Sequence, residues 1–394
     1  MCSCFIVILA DRLTNGIENV NFRSRFTDVQ VMGLRKAIIQ QAKDFLENFH
    51  ERCSCELQAH MENEQWAAVN VPEQMQAVVD SLLAGLDSPT TDASAAAARD
   101  VPENEASVTA SSHAPTSESA VAPADSIGSA RSCLVINGEK VHCAASLLSL
   151  MKLLRDHLVL LRTTSSLGGE IVARTLRLVR QFNDLSHNLI LEAGAVPRTL
   201  RTVTASNLAL CSQNLSALIA LLPTIRLNIA PALSSKAERF LGEFDTMLQE
   251  LRSHRQSIFA KLLEIMLGRI TLHLSAVQQP QWEFSEADAV TSTSTWVVKL
   301  VKEMGSMHKQ CAAVLPHTQV KSLFSSVVVV LNDKVAETLT KLPRPSPQQR
   351  NRMYNDLVYL LTSVRDMGKT VPDPGSTIMY HRSFLLRLFI AFFF

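Results

Sequence analysis

Thr204–Arg226 reads TASNLALCSQNLSALIALLPTIR, and the fold turns on how that stretch is read. Leu208, Cys211, Leu215, Leu218, Leu222 and Ile225 recur at steps of three and four, which lines them down one side of a helix. Ile219 and Leu221 widen the stripe, so this helix is expected to lie among several neighbours rather than against one. Thr204 or Ser206 can cap its start by accepting a backbone N–H. Pro223 is expected to kink or finish it. The stretch carries no catalytic pattern. It is a packing element, and most of the chain repeats the theme.

On its N-terminal side, Ala144–Leu161 stripes Leu147, Leu150, Leu154, Leu158 and Leu161. Gly168 and Gly169 read as a break, and Glu170–Leu191 as a second helix with Val172, Leu176, Val179, Phe182 and Leu189 on one side. On its C-terminal side, Ser234–Leu274 reads as a long helix capped by Ser234 or Ser235, with Phe240, Phe244, Met247, Leu251, Ile258, Leu262 and Ile265 inward. A loop from Gln279 to Thr295 leads to a helix over Trp296–Leu315, with Leu300, Met304, Met307 or His308, and Cys311 inward. Val327–Val330 is β-branched and favours a strand locally. The rhythm of Leu323, Val327, Val330 or Leu331, and Leu339 runs too long for one, so Gln319–Leu342 is expected to be helical. Three prolines precede a last helix, Gln348–Met367.

Further upstream, Val31–Leu57 has helical spacing, with Leu34, Ile38, Phe45, Leu46 and Phe49 broadly on one side. Trp66 and Val71-Pro72 precede a short helix from Pro72 to Leu83. Cys133–Cys143 reads CLVINGEKVHC, and Asn137-Gly138 between two apolar runs is a hairpin signal. The two cysteines could face each other across that hairpin, as free thiols. The fold class expected is all-α, stacked antiparallel helical bundles of the helical-rod tether type with one short β-hairpin. Four regions follow: a helical segment at 1–87, an Ala/Ser/Thr/Pro linker read as disordered at 88–131, a helical bundle region at 132–370, and an atypical hydrophobic tail at 371–394.

Composition narrows function. Of 394 residues 47% are hydrophobic and 19% charged, and the formal net charge of +1 gives no broad field for nucleic acid or acidic membrane. The eight cysteines are scattered, which suits reduced, buried thiols rather than a disulfide framework. No run of about eighteen apolar residues is read as a membrane span. Cys4–Ala10 lacks a basic flank and a cleavage site, so it is not read as a signal peptide, and Phe384–Phe394 is too short to span a bilayer.

Chemistry is mostly missing. No phosphate-binding loop, dinucleotide fingerprint or nucleophile elbow occurs, and no spacing assembles a triad. His50, Cys53, Cys55 and His60 are the best metal candidates, but a Cys-x-Cys pair on a helix does not converge on one ion. No catalytic residue, metal ligand or cofactor is therefore assigned. Arg174, Arg177 and Arg180 lie opposite Val172, Leu176 and Val179 and are the candidate partner-binding residues, for an acidic protein or lipid headgroups, with a solvated face as the plainer alternative.

The series Phe45-Leu-Glu-Asn-Phe-His50-Glu-Arg52, Glu64-Gln-Trp66, Val71-Pro-Glu-Gln74, Val78-Val-Asp80-Ser-Leu82 and Leu134-Val-Ile-Asn-Gly-Glu139 runs in order. It continues with Phe182-Asn183, Leu189–Val196, Leu200–Thr204, Asn207–Leu210, Phe244-Asp245, Lys261-Leu262, Ile265-Met266 and Met304–Lys309. The ordered series resembles the vacuolar protein sorting-associated fifty-four subunit family, in the stretch leading into and through its C-terminal domain. No single motif is specific; the long order is. The resemblance implies a non-enzymatic subunit of the Golgi-associated retrograde protein complex, a helical-rod tether for vesicles moving from endosomes to the trans-Golgi network. It implies the sister subunits and SNARE proteins as partners, no nucleic acid, and a cytoplasmic location, peripheral on trans-Golgi and endosomal membranes. The family's long N-terminal coiled coil is missing from this sequence, which puts assembly by this chain alone in question. A subunit of another helical-rod tether or scaffold, with other partners, is the alternative. An all-helical enzyme is the third reading, and it requires a deep pocket of converging ionisable groups.

Overall fold

The computed structural model describes residues 28–84, 132–164, 167–192, 203–233, 240–278, 293–342 and 347–369. Nine α-helices and one two-stranded sheet make up the regular structure among them. In chain order these are α1 (Asp28–Glu62), α2 (Glu73–Leu83), β1 (Leu134–Ile136), β2 (Glu139–Val141), α3 (Ala145–Thr163), α4 (Gly168–Ile190) and α5 (Ala205–Ile229). Then come α6 (Leu241–Ser275), α7 (Thr295–Ala312), α8 (His317–Thr340) and α9 (Pro347–Lys369). The all-α class with one short hairpin is what the periodicity and the Asn-Gly pair implied.

α5 sits where its wide stripe placed it, packed on α2, α4, α6 and α7. Its start is a capping box: Asn207 N–H donates to Thr204 Oγ1 at 3.2 Å, and Thr204 N–H donates to Asn207 Oδ1 at 2.9 Å. The helix runs through Pro223 to Ile229 rather than ending. Buried Leu221, Leu222, Ile225 and Ile229 hold it from several sides, which outweighs the one hydrogen bond proline removes. α5 is long and apolar enough to cross a membrane, yet most of that stretch is buried inside the bundle. Ser212, Gln213 and Asn214 are buried with it.

Side-chain pairs fix the helix directions. Lys43–Glu170, Glu47–Arg174 and Ser54–Gln181 advance together, so α1 and α4 run parallel. Arg180–Glu250 and Asn183–His254 make α4 and α6 parallel as well. Arg226–Asp245 and Ser216–Arg255 advance in opposite senses, so α5 and α6, neighbours in sequence, are antiparallel. Antiparallel stacking thus describes the consecutive pair α5 and α6, while α1 with α4 and α4 with α6 run parallel.

Several boundaries differ from the sequence reading. Gly168 and Gly169 form the first turn of α4, and the break lies just before them. Ser234 and Ser235 lie outside the described residues, as do 85–131 and 370–394. On α6, Met266 rather than Ile265 is fully inward. The β-branched run is helical, and α8 buries Val327 while Val329 is 60% exposed.

The hairpin has the expected turn: Asn137 and Gly138 take φ of 51° and 84°, as a type I′ turn needs. Leu134 faces Val141, and Ile136 faces Glu139. With a side-chain period of two, Cys133 and Cys143 therefore point to opposite faces and cannot bridge. Both are free thiols, Cys143 buried and Cys133 half-exposed. Gln76 of α2 closes the outer edge of β1, donating to Val135 O and accepting from Val135 N–H, both at 2.9 Å.

α1 and α2 share one hydrophobic core with α3–α5, although 85–131 separates them in sequence. From the Gln76–Val135 contact, Ala84 and Ser132 are at most about 30 Å apart, by helix and strand rise. About ten extended residues span that gap. Replacing 88–129 with a ten-residue Gly/Ser tether is expected to leave the melting temperature within about 3 °C, since loop length enters stability only logarithmically. Loss of cooperative melting in that variant would contradict it.

Candidate functional site

The three arginines of α4 do not form one free stripe. Parallel packing brings α1 alongside α4 so that Arg174 reaches Glu47 of α1 and also Glu170 one turn back, at 3.6 Å. Its side chain is only 13% exposed. The Arg174 guanidinium holds the Glu47 carboxyl below the usual carboxylate range, first by hydrogen bonding and then by charge. Arg180 points the other way, to Glu250 of α6 at 3.3 Å. Arg177 alone is exposed. The sequence reading missed the flanking helices, because residues on both edges of a stripe look solvated until neighbours are placed. Arg174→Ala is expected to lower stability by about 1–2 kcal/mol and Arg177→Ala by no more than about 0.5. Equal losses in urea melts would argue against this division.

Next to Arg174, His50 and His157 meet edge to face with ring centroids 5.9 Å apart, and Phe49 tilts against His157 at 4.9 Å. His157 Nδ1 lies 2.8 Å from Leu153 O, so Nδ1 carries a proton and donates it. Burial pushes His157 down to about 4. A second pair joins α4 to α6: His254 Nδ1 lies 2.9 Å from Asn183 Oδ1, and the His187 ring tilts against His254 at 5.0 Å. Burial, then the charge of His187, lowers His254 to about 4. Both pairs brace helix junctions.

The densest polar junction is at the start of α3. Its N-cap, Ala144, has no side chain to offer. Glu64, from the loop after α1, supplies the cap across 82 residues of sequence, accepting from Ser146 N–H at 2.7 Å. Its other oxygen accepts from Trp66 N–H at 2.9 Å. Trp66 has φ of 51° and is 1% exposed, and its carbonyl accepts from Asn207 Nδ2 at 3.0 Å. Asp356 of α9 does the same for α7, accepting from Ser294 N–H at 2.7 Å. No local capping box announces either acid, because the acceptor is distant in sequence.

Of the metal candidates, His50 and Cys53 are buried, and Cys55 and His60 are exposed. Burial raises Cys53 to about 11, which suits a packed thiol. Among the described residues no group of three or more His, Cys, Asp or Glu side chains could hold an ion. His308 meets Phe324 edge-on at 4.8 Å, and Cys311, three residues along, is buried.

The fold and these junctions define an all-helical scaffold, in which the perturbed ionisable groups link one helix to the next. The family described as Vps54-like protein matches residues 138–269. Likeness extends well beyond it. Vacuolar protein sorting-associated protein 54, chloroplastic, of Arabidopsis thaliana is 25% identical over 378 residues, covering 85% of this chain and 37% of that protein. Vacuolar protein sorting-associated protein 54 of Homo sapiens is 27% identical over 290 residues, covering 73% of this chain and 26% of that protein. The fission yeast protein of the same name, from Schizosaccharomyces pombe, is 24% identical over 226 residues. The chain thus spans between 26% and 37% of the length of the first two relatives. These names are those of proteins associated with vacuolar protein sorting.

Proposed function

We propose that this chain is a helical portion of a non-enzymatic tether subunit, acting with the Golgi-associated retrograde protein complex in transport from endosomes to the trans-Golgi network. The likeness to vacuolar protein sorting-associated protein 54 from plant, animal and fission yeast carries this reading. The physics suits it. A tether works by binding and by holding its ends apart, and helices locked by a continuous Leu-rich core resist bending. Partners are the sister subunits of that complex and SNARE proteins, with peripheral residence on endosomal and trans-Golgi membranes. Of the three arginines, Arg177 is the exposed one, which supports it as the partner contact.

The test is co-precipitation. The chain, extended at its N-terminus to the length of its relatives and tagged, is expected to recover sister tether subunits from cells. It is also expected to concentrate at the trans-Golgi network. Recovery of a different helical-rod complex, or of none, would refute the proposal.

A further inference from the structure

α7 packs on α5, α6, α8 and α9, yet keeps one ridge in solvent. Lys299, Lys302 and Lys309 occupy that ridge, all exposed, beside Val298, which is 41% exposed. Their spacing of three and seven residues places them along one helix side over about 15 Å of rise. Among the described residues none of the three has a carboxylate in ion-pair reach. Glu303, the acid nearest in sequence, turns instead to His273 of α6 at 3.2 Å and to Arg269 at 3.9 Å. Some lysines elsewhere are paired. Lys261 of α6 touches Glu264, and Lys334 and Lys341 both touch Glu337 of α8. Like charges three residues apart weaken a helix slightly, and among the described residues no carboxylate pairs with the α7 ridge.

We infer that the α7 lysine ridge docks an acidic amphipathic helix of a partner protein. The reasoning rests on the chain being a binding subunit, and deepens that reading by naming a surface. A helix laid alongside α7 meets the three lysines with carboxylates at matching spacing and sets an apolar residue on Val298. Three charges in single file fall short of the four to eight that recruit anionic lipid. The near-zero net charge disfavours nucleic acid.

The probe is a synthetic helical peptide with glutamates spaced to face the three lysines and a leucine beside the first. Affinity is measured by fluorescence anisotropy at low and at physiological salt. Lys299→Glu/Lys302→Glu/Lys309→Glu is expected to weaken binding about tenfold or more, since each exposed pair contributes little alone and reversal adds repulsion. A control reversing Lys36, Lys140 and Lys152, which are exposed on α1, β2 and α3, is expected to stay within about twofold. The α7 reversal is expected to regain affinity for a peptide bearing lysines in place of the glutamates. Thermal melts by circular dichroism verify that both triple variants fold. Equal weakening in both variants, or none in either, overturns the inference. So does binding to vesicles with about 30% phosphatidylserine, lost in the α7 variant, without any peptide binding. Sister-subunit recovery that survives the α7 reversal, with no peptide binding, overturns this surface alone and leaves the tether reading standing.

Discussion

Trp66→Ala is expected to lower the free energy of unfolding by about 4 kcal/mol, the range for deleting a buried large aromatic. Trp66 is among the largest fully buried side chains and lies where the chain leaving α1 meets α3 and α5. Alanine would leave a cavity that cannot collapse, because the backbone is pinned on both sides. Glu64 holds the N–H of residue 66, and Asn207 holds its carbonyl. The left-handed φ of 51° would remain, still disfavoured for alanine. Glu64→Ala is expected to cost about 3 kcal/mol by a different route, since it strands the N–H groups of Ser146 and Trp66 without an acceptor. The two changes strike one junction, so the double variant should lose less than the sum of the two singles. Urea denaturation followed by helical circular dichroism measures all three. A Trp66→Ala loss under about 1.5 kcal/mol would mean the junction is not a keystone of the core.

That junction also marks how far the sequence could be read. The helices were legible because their apolar stripes are periodic and long, as in α3, α4 and α5. The hairpin was legible because Asn137 and Gly138 satisfy a steric demand that few residues meet. Partners across space were not legible. Glu64 looks like any surface acid until α3 brings Ser146 to it, and Asp356 like any helix acid until it meets Ser294. The in-chain partners of Arg174 and Arg180 were hidden for the same reason. Opposite-face residues are solvated only on an outer helix, and α4 has α1 on one edge and α6 on the other. Pro223 was judged by local propensity, and tertiary contacts on α5 overrode it. The cysteines flanking the hairpin are free thiols, as the sequence implies, but strand parity sends them to opposite faces rather than toward each other.

Lowering the pH from 7.5 to 5.0 is expected to remove about 4 kcal/mol of stability through His157 and His254, half from each, with His50 and His308, also lowered by burial, acting in the same sense. His157 and His254 sit near 4 in the folded chain against 6.5 when exposed. Between those values the unfolded chain holds a proton at each position and the folded chain does not. Stability therefore declines as pH falls below about 6.5, at about 1.4 kcal/mol per pH unit per histidine. Around His157 stand His50, Arg174 and Asp156, and only the last favours protonation. His187 beside His254 disfavours it too. Asp356 works in the opposite sense, because burial raises its carboxyl and acid relieves that penalty. The carboxyl of Glu47, held low by Arg174, contributes its loss only at still lower pH. His157→Phe keeps a ring against Phe49 and removes one titrating group. Its stability should fall about 2 kcal/mol less over the same interval, as read from urea midpoints at the two pH values. An unchanged pH dependence in that variant would show that His157 is not the group taking up the proton.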